Sequence, residues 1–184
     1  MLTDTLIERD RSALLVIDIQ ERLLPHIHDG QTALDNALWL VQIAQRLGVP
    51  VMASEQYPKG IGRTVAVLRE LIPATAIGEK LHFSCVKARC LERLPGADRP
   101  QIVVVGTESH VCVLQTVLDL RRQGKEVFVV ADAVGSRRPA DKELALARMR
   151  DGGAHIVSRE MTAFEWLQQA GDDTFRQISR EFLK

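Results

Sequence analysis

The chain lacks the features that would direct it to a membrane, an export route or nucleic acid. No apolar run approaches the length that spans a bilayer, and charges interrupt the first ten residues, where a secretory signal needs an apolar core. Basic and acidic residues number 24 each, so the net charge is zero and no strongly basic surface is expected. We therefore expect a cytoplasmic protein that has neither a membrane nor a nucleic acid as partner.

Cysteine is scarce, and its number is odd. Three cysteines, Cys85, Cys90 and Cys112, predict reduced thiols rather than a disulfide framework in a chain without an evident export signal.

Internal repeats, low-complexity tracts and long Pro/Gly/Ser linkers are also missing, so nothing marks a domain boundary. With 184 residues, of which 46% are hydrophobic, the chain predicts one domain over residues 1–184 with a single large core.

Short apolar runs of strand length alternate with longer stretches of helical period. Strands are predicted at residues 13–17, 50–53, 76–79, 102–105, 127–130 and 155–157. Helices are predicted at residues 31–47, 111–123 and 140–150, with two more near the end of the chain. Helices of this length between strands are what parallel crossovers require. The fold class is therefore a Rossmann-like, three-layer αβα architecture with a doubly wound, mainly parallel, six-stranded sheet.

Three reactive side chains follow the ends of predicted strands. Asp18 follows the first strand, Lys80 follows the third, and Cys112 lies a few residues beyond the fourth. In doubly wound sheets ligands bind outside the carboxyl ends of the strands, so we expect these groups to converge. Each also has an ordinary interpretation, as a loop acid, a surface lysine and a small buried apolar residue.

Together these groups make a chemically complete set. Cys112 is predicted in the first turn of a helix, where free backbone N–H groups favour a thiolate, and the Lys80 ammonium would lower the thiol pKa further. Asp18 is suited to accept the thiol proton and to return it to a leaving amine. Backbone N–H groups in the turn of residues 106–112 are placed to hold a developing oxyanion.

Three motifs in this order resemble the isochorismatase-like cysteine hydrolase family, which includes nicotinamidases, N-carbamoylsarcosine amidohydrolases and isochorismatase. The motifs are Leu15-Val16-Ile17-Asp18-Ile19-Gln20, then Gly78-Glu79-Lys80 followed by Phe83-Ser84, and Gly106-Thr107-Glu108-Ser109-His110-Val111-Cys112-Val113. The resemblance implies a catalytic triad of Asp18, Lys80 and Cys112. It also implies a cis Thr107–Glu108 peptide bond, an oxyanion hole formed by the amides of Glu108 and Cys112, and a homo-oligomer.

Departures from the family pattern narrow the function. Nicotinamidases carry an Asp-x-His metal motif after the second strand, whereas this chain has Ser54-Glu55-Gln56 there and no histidine until His82. We therefore expect no metal and no nucleotide cofactor. The run from Glu55 to Gly60 resembles a subgroup whose substrates are mostly unassigned. Isochorismatase does not need a cysteine nucleophile, so Cys112 favours cleavage of an amide or related C–N bond. Metal-free vinyl-ether hydrolysis and a catalytically weak binding or scaffold protein are the alternatives.

The substrate is expected to be a small molecule, and five further residues are predicted to contact it: Gln20, Tyr57, Phe83, Ser109 and His110. Ordinary packing is the alternative for Phe83, a capping or surface role is the alternative for His110, and contact with a neighbouring subunit is the alternative for Tyr57. Cys85 and Cys90 lie five residues apart, which matches no common zinc ligand pair. We expect these two thiols to be buried in a helix.

Overall fold

The protein, described here by a computed structural model over residues 5–183, contains one six-stranded sheet. Its strand order is β3-β2-β1-β4-β5-β6, and every neighbouring pair is parallel. The strands are β1 (Ser12–Ile17), β2 (Val51–Gln56), β3 (Ile77–Lys80), β4 (Gln101–Thr107), β5 (Glu126–Gly135) and β6 (His155–Val157). The predicted doubly wound α/β architecture is confirmed.

Helices cover both faces of the sheet. They are α1 (Gly30–Leu47), α2 (Pro58–Ile61), α3 (Ala66–Arg69), α4 (Leu114–Arg122), α5 (Pro139–Asp151), α6 (Arg159–Leu167) and α7 (Asp173–Phe182). The single turns α2 and α3 were not predicted, because four residues are too few to show a helical period. Within residues 5–183, no helix combines the length and apolar character that crossing a membrane requires.

The strands separate two apolar layers because their side chains alternate between the faces of the sheet. Leu14 and Val16 of β1 pack into one layer with buried residues of α1, α6 and α7. Ala13, Leu15 and Ile17 pack into the other layer with buried residues of α4 and α5. All six residues of β1 are buried, so the central strand is covered on both faces as its continuous apolar run indicates.

The chain order reverses beside β1, and this reversal opens a crevice at the carboxyl ends of the strands. From β1 the chain proceeds outward to β3 and then returns to β4 on the other side of β1. Gly106 of β4 pairs with Ile17 at this point. Gly106 has a φ of +132°, and a Cβ there would lie 2.1 Å from the Ile17 carbonyl oxygen. Only glycine therefore allows β1 and β4 to approach so closely at the crevice.

Two predicted helical features differ from the structure. Residues 81–100 form turns without a helix, so the helix expected around Cys85 and Cys90 is wrong. Arg89, between the two cysteines, has a φ of +56°, which is incompatible with a right-handed helix. The helix predicted over residues 111–123 divides into a π-helical turn, Ser109–Val113, and α4. The carbonyl oxygen of Glu108 accepts the N–H groups of both Val111 and Val113, which widens this turn.

Candidate active site

Asp18 and Lys80 form a fully buried ion pair at the carboxyl ends of β1 and β3. The Lys80 Nζ atom lies 2.7 Å from Asp18 Oδ2, and both side chains have 0% exposure. Ser54, near the end of the intervening strand β2, donates its hydroxyl to Asp18 Oδ1 at 2.7 Å. Each carboxylate oxygen therefore has its own donor, which satisfies a charge that would otherwise be costly to bury.

The surroundings of this pair set the direction of both pKa shifts. Burial raises the pKa of Asp18, while the Lys80 charge and the Ser54 hydrogen bond act in the opposite direction. Burial by itself would lower the pKa of Lys80, but the negative charge of Asp18 and its hydrogen bond act against burial, and the pKa is raised. The carboxylate is thus a better proton acceptor than an exposed aspartate, and the lysine stays an ammonium.

Cys112 lies in the π-helical turn after β4, where its thiol interacts with both charged groups. The residue is 5% exposed. Burial raises the pKa of the thiol, the Asp18 charge raises it further, and Lys80 opposes this without cancelling it. The prediction that this position favours a thiolate is therefore wrong for the resting protein, because desolvation and a nearby carboxylate outweigh the ammonium. The resting thiol is therefore neutral.

The turn before Cys112 is fastened to the end of β1. The Thr107–Glu108 peptide bond is cis. Thr107 donates its hydroxyl to the Asp18 carbonyl oxygen at 2.7 Å, and the Glu108 carboxylate pairs with Arg137 after β5. These contacts fix both residues of the predicted cis bond beside the ion pair, with Cys112 four residues further along the same turn.

The Gln20 side chain is hydrogen-bonded to the end of β2. Gln20 is fully buried, and among residues 5–183 its side chain bonds to backbone groups. Its Nε2 donates to the carbonyl oxygens of Gln56 and Gly62 at 3.0 and 2.6 Å, and its Oε1 accepts the N–H of Gln56 at 2.7 Å. These bonds hold the end of β2 in place, and contact between Gln20 and a substrate stays a prediction.

The other four residues predicted to contact the substrate differ in their exposure to solvent. Tyr57 and Phe83 are 50% and 51% exposed, and Tyr57 borders a cavity of about 460 Å³ that Lys80 also lines. Ser109 is fully buried, and its hydroxyl has no hydrogen-bond partner among residues 5–183. His110 is half-buried, with its Nδ1 3.0 Å from the hydroxyl of Ser136 after β5.

Two residues that contact the ion pair were missed by the sequence analysis. Ser54 bonds to Asp18, and Gln56 accepts a 2.7 Å hydrogen bond from Lys80 Nζ through its Oε1. The predicted second strand ended at residue 53, whereas β2 continues to Gln56. Had the strand been extended, the two-residue alternation would have placed Ser54 and Gln56 on one face.

The remaining cysteines form a separate thiol pair next to the site. Cys85 is buried and Cys90 half-buried, and the Cys90 thiol lies 3.6 Å from the Cys85 carbonyl oxygen. The side-chain interaction between the two thiols lowers the pKa of Cys85 and raises the pKa of Cys90. Among residues 5–183, no three or more His, Cys, Asp and Glu side chains are grouped so that they would hold a metal ion.

The fold is thus a doubly wound, parallel α/β sheet with an acid, an ammonium and a thiol buried beyond its strand ends. The Isochorismatase domain model matches residues 12–161. The chain belongs to the isochorismatase family of hydrolases.

Similar proteins span most of the chain. Isochorismatase family protein 1A of Dictyostelium discoideum is 36% identical over 172 residues, covering 91% of this chain and 84% of that protein. The secreted isochorismatase effector Isc1 of Phytophthora sojae is 35% identical over 175 residues, covering 92% and 83%. The structure of MAR1 ribonuclease from Caenorhabditis elegans superposes with a TM-score of 0.87 and 33% identity, covering 98% of this chain and 93% of that one.

Proposed function

We propose that the protein hydrolyses an amide or related C–N bond of a small molecule through a thioester on Cys112. The observation that carries the proposal is the buried Asp18–Lys80 pair, with its 2.7 Å contact, beside a neutral thiol. Burial raises the pKa of Asp18, which makes its carboxylate a stronger base. We propose that this base takes the proton of the neutral Cys112 thiol at the moment when sulfur attacks the substrate.

The proposed reaction uses Asp18 as the single proton carrier. The carboxylate takes the Cys112 proton as sulfur attacks the carbonyl carbon, and a C–S bond forms while the carbonyl oxygen becomes an oxyanion. Backbone N–H groups of Glu108 and Cys112 are proposed to hold that oxyanion. Asp18 then returns the proton to the leaving nitrogen as the C–N bond breaks.

Water completes the cycle by the same route. Asp18 takes a proton from water, the hydroxide attacks the thioester carbon, and the C–S bond breaks to give a carboxylic or carbamic acid and the protonated thiol. Lys80 keeps a positive charge beside Asp18 throughout, so the cluster never carries two uncompensated negative charges. No step of this cycle uses a cofactor.

Substrate profiling with two cysteine variants tests the proposal. Small amides, carbamoyl compounds and isochorismate are incubated with wild type, Cys112→Ala and Cys90→Ala, the last being a half-buried thiol outside the triad. We expect C–N cleavage by wild type and Cys90→Ala, none by Cys112→Ala, and a mass increase on Cys112 when the reaction is quenched early. Isochorismate cleavage that survives Cys112→Ala would favour vinyl-ether hydrolysis, and no turnover by any form would favour a scaffold protein.

RNA belongs in the same assay because the similar structure from Caenorhabditis elegans is named a ribonuclease. The equal numbers of acidic and basic residues do not favour a polyanionic substrate. We expect no cleavage of a single-stranded RNA oligonucleotide by wild type. Cleavage that is lost in Cys112→Ala would replace the small-molecule proposal with a nuclease.

Assembly and compartment are also proposals. We propose a homo-oligomer, supported by large apolar side chains left exposed near Lys80, with Leu81 at 74%, Phe83 at 51% and Tyr57 at 50% exposure. Light scattering on the purified protein tests it, and a mass of 20.5 kDa would contradict it. We propose a cytoplasmic location, which fractionation tests, although one relative is named a secreted effector.

A further inference from the structure

Gln56, the last residue of β2, lies between the charged pair and the thiol. It is 8% exposed and is paired in register with Lys80 of β3. Its Oε1 accepts a 2.7 Å hydrogen bond from Lys80 Nζ and lies 3.9 Å from Cys112 Sγ. Gln56 is therefore the only neutral side chain described here that hydrogen-bonds the Lys80 ammonium while also contacting the thiol.

The orientation of the Gln56 amide is fixed by its partners. Its Nε2 donates to the Leu81 carbonyl oxygen at 2.8 Å, so the Oε1 atom must face Lys80. A flipped amide would place an NH₂ group against the ammonium and a carbonyl against a carbonyl, which removes both hydrogen bonds. The hydrogen bonds to Leu81 and Lys80 therefore require the Gln56 Oε1 atom to face Lys80.

The backbone of Gln56 is held as firmly as its side chain. Gln20 accepts the Gln56 N–H at 2.7 Å and donates to the Gln56 carbonyl oxygen at 3.0 Å. Gln20 is itself fully buried, and its Nε2 also donates to the Gly62 carbonyl oxygen. Rotation of the Gln20 side chain toward solvent would break its hydrogen bonds to the Gln56 N–H, the Gln56 carbonyl and the Gly62 carbonyl. The position of the amide oxygen is therefore determined from both ends of the residue.

We propose that Gln56 is a positioning residue that holds Lys80 between Asp18 and Cys112 with an acceptor that adds no charge. The inference rests on the proposed cysteine chemistry and extends it. The charged or titratable groups that face Lys80 are Asp18 from the end of β1, Cys112 from the π-helical turn and Cys85 from the loop of residues 81–100.

A neutral acceptor matters because the reaction creates a negative sulfur. When Asp18 takes the Cys112 proton, the thiolate and the Lys80 ammonium balance each other, so the cluster keeps a net charge of zero. A carboxylate at position 56 would make that charge −1 in a buried space, would repel the thiolate and would also compete for the ammonium. The amide oxygen directs Lys80 without this repulsion.

Gln56→Glu is the sharp test, since it keeps the shape of the side chain and changes only its charge. Gln45→Glu is the matched control, because Gln45 is exposed on α1, where it bonds the Leu71 carbonyl oxygen. The rate of Cys112 alkylation by iodoacetamide is followed by peptide mapping over a range of pH, with Cys90 labelling as internal reference. This readout needs no substrate.

Below the pKa of the thiol, the alkylation rate is proportional to the thiolate fraction. We expect Gln56→Glu to label Cys112 roughly tenfold more slowly than wild type at a given pH, the result of a pKa raised by about one unit. Gln45→Glu is expected to label at the wild-type rate. Equal rates in Gln56→Glu and wild type would overturn the inference.

Gln56→Met keeps the test decisive if Gln56→Glu does not fold, because methionine matches the length of glutamine and lacks its amide. We expect kcat to fall about tenfold or more with KM nearly unchanged and the melting temperature within a few degrees of wild type. Wild-type kcat in Gln56→Met would overturn the inference. Turnover that survives Cys112→Ala would instead overturn the proposed function. In that case the rate of Cys112 labelling in the Gln56 variants, which retain Cys112, would still test the role of Gln56.

Discussion

The hydroxyl of Thr107 donates a 2.7 Å hydrogen bond to the backbone carbonyl oxygen of Asp18. Both residues are fully buried, and Asp18 has a φ of +50°. The bond joins the end of β4 to the first residue beyond β1, across the crevice where the chain order reverses. It therefore couples the turn that carries Cys112 to the residue that is proposed to take its proton.

Thr107→Val removes this bond and keeps the shape of the side chain. We expect a stability loss of about 1–2 kcal/mol, since a buried carbonyl loses its hydroxyl donor, and a clear fall in kcat. Thr162→Val is the matched control, because the Thr162 hydroxyl also donates to a backbone carbonyl, that of Ser158, within the first turn of α6. Denaturation and turnover are measured on both. Equal kcat values in the two variants would show that the Thr107 bond serves stability alone.

The sequence was enough to predict which side chains lie at the carboxyl ends of the strands. Asp18, Lys80 and Cys112 follow apolar runs, so the rule for parallel sheets was enough to predict that they converge. Ser54 and Gln56 were missed because polar side chains at the end of a buried strand look like a loop. The direction of the Cys112 pKa shift was also missed, since it depends on burial, which three-dimensional packing decides rather than local sequence.

Removing one charge of the buried Asp18–Lys80 pair is expected to destabilise the protein more than removing both charges together. Asp18→Asn and Lys80→Met each leave one uncompensated buried charge, and we expect each to lose about 3–5 kcal/mol of stability. The double variant contains neither charge, and we expect it to recover most of that loss while remaining inactive. Arg89→Gln, which breaks an exposed pair with Glu92, serves as a control and is expected to change stability little.

Urea denaturation of the four variants measures these differences. Additive losses in the double variant would show that Asp18 and Lys80 do not stabilise each other, contrary to their 2.7 Å contact.

Gly106 is expected to be irreplaceable for a steric reason. An alanine Cβ there would lie 2.1 Å from the Ile17 carbonyl oxygen, a backbone atom that cannot move without disturbing β1. Gly48 is the matched control: its φ is also positive, at +73°, but a Cβ there would meet no atom within 4 Å. We expect Gly48→Ala to cost about 1 kcal/mol and Gly106→Ala to cost much more or to prevent folding. Similar melting temperatures for the two variants would contradict this account.

Activity is expected to survive removal of metal ions. Glu55, the acid within the run that replaces the nicotinamidase metal motif, is buried and uses its Oε1 to accept the N–H of Thr64 at 2.7 Å. Borderline metals such as zinc prefer histidine and cysteine ligands, which this run lacks. Prolonged dialysis against EDTA should leave turnover unchanged, with a known metal-dependent nicotinamidase as control. Loss of activity that zinc, manganese or iron restores would refute the metal-free mechanism.

The pH dependence of kcat/KM is expected to begin at a higher pH than an exposed aspartate would give. The proposed reaction needs Asp18 as a carboxylate, so activity falls as the pH drops through its pKa. Because burial raises that pKa, the acid limb should lie above the ordinary value of about 3.9. The raised pKa of Lys80 keeps the ammonium charged through the neutral range, so this lysine should not limit activity there.

Ser54→Ala tests the assignment of the acid limb through its direction. The Ser54 hydrogen bond lowers the pKa of Asp18 by stabilising the carboxylate, so its removal should raise that pKa and move the acid limb to still higher pH. Ser84→Ala is the matched control, because the Ser84 hydroxyl donates to the Asp119 carboxylate at the same 2.7 Å distance. We expect its profile to follow wild type. An acid limb that stays in place in Ser54→Ala, or moves to lower pH, would show that Asp18 is not the group that titrates.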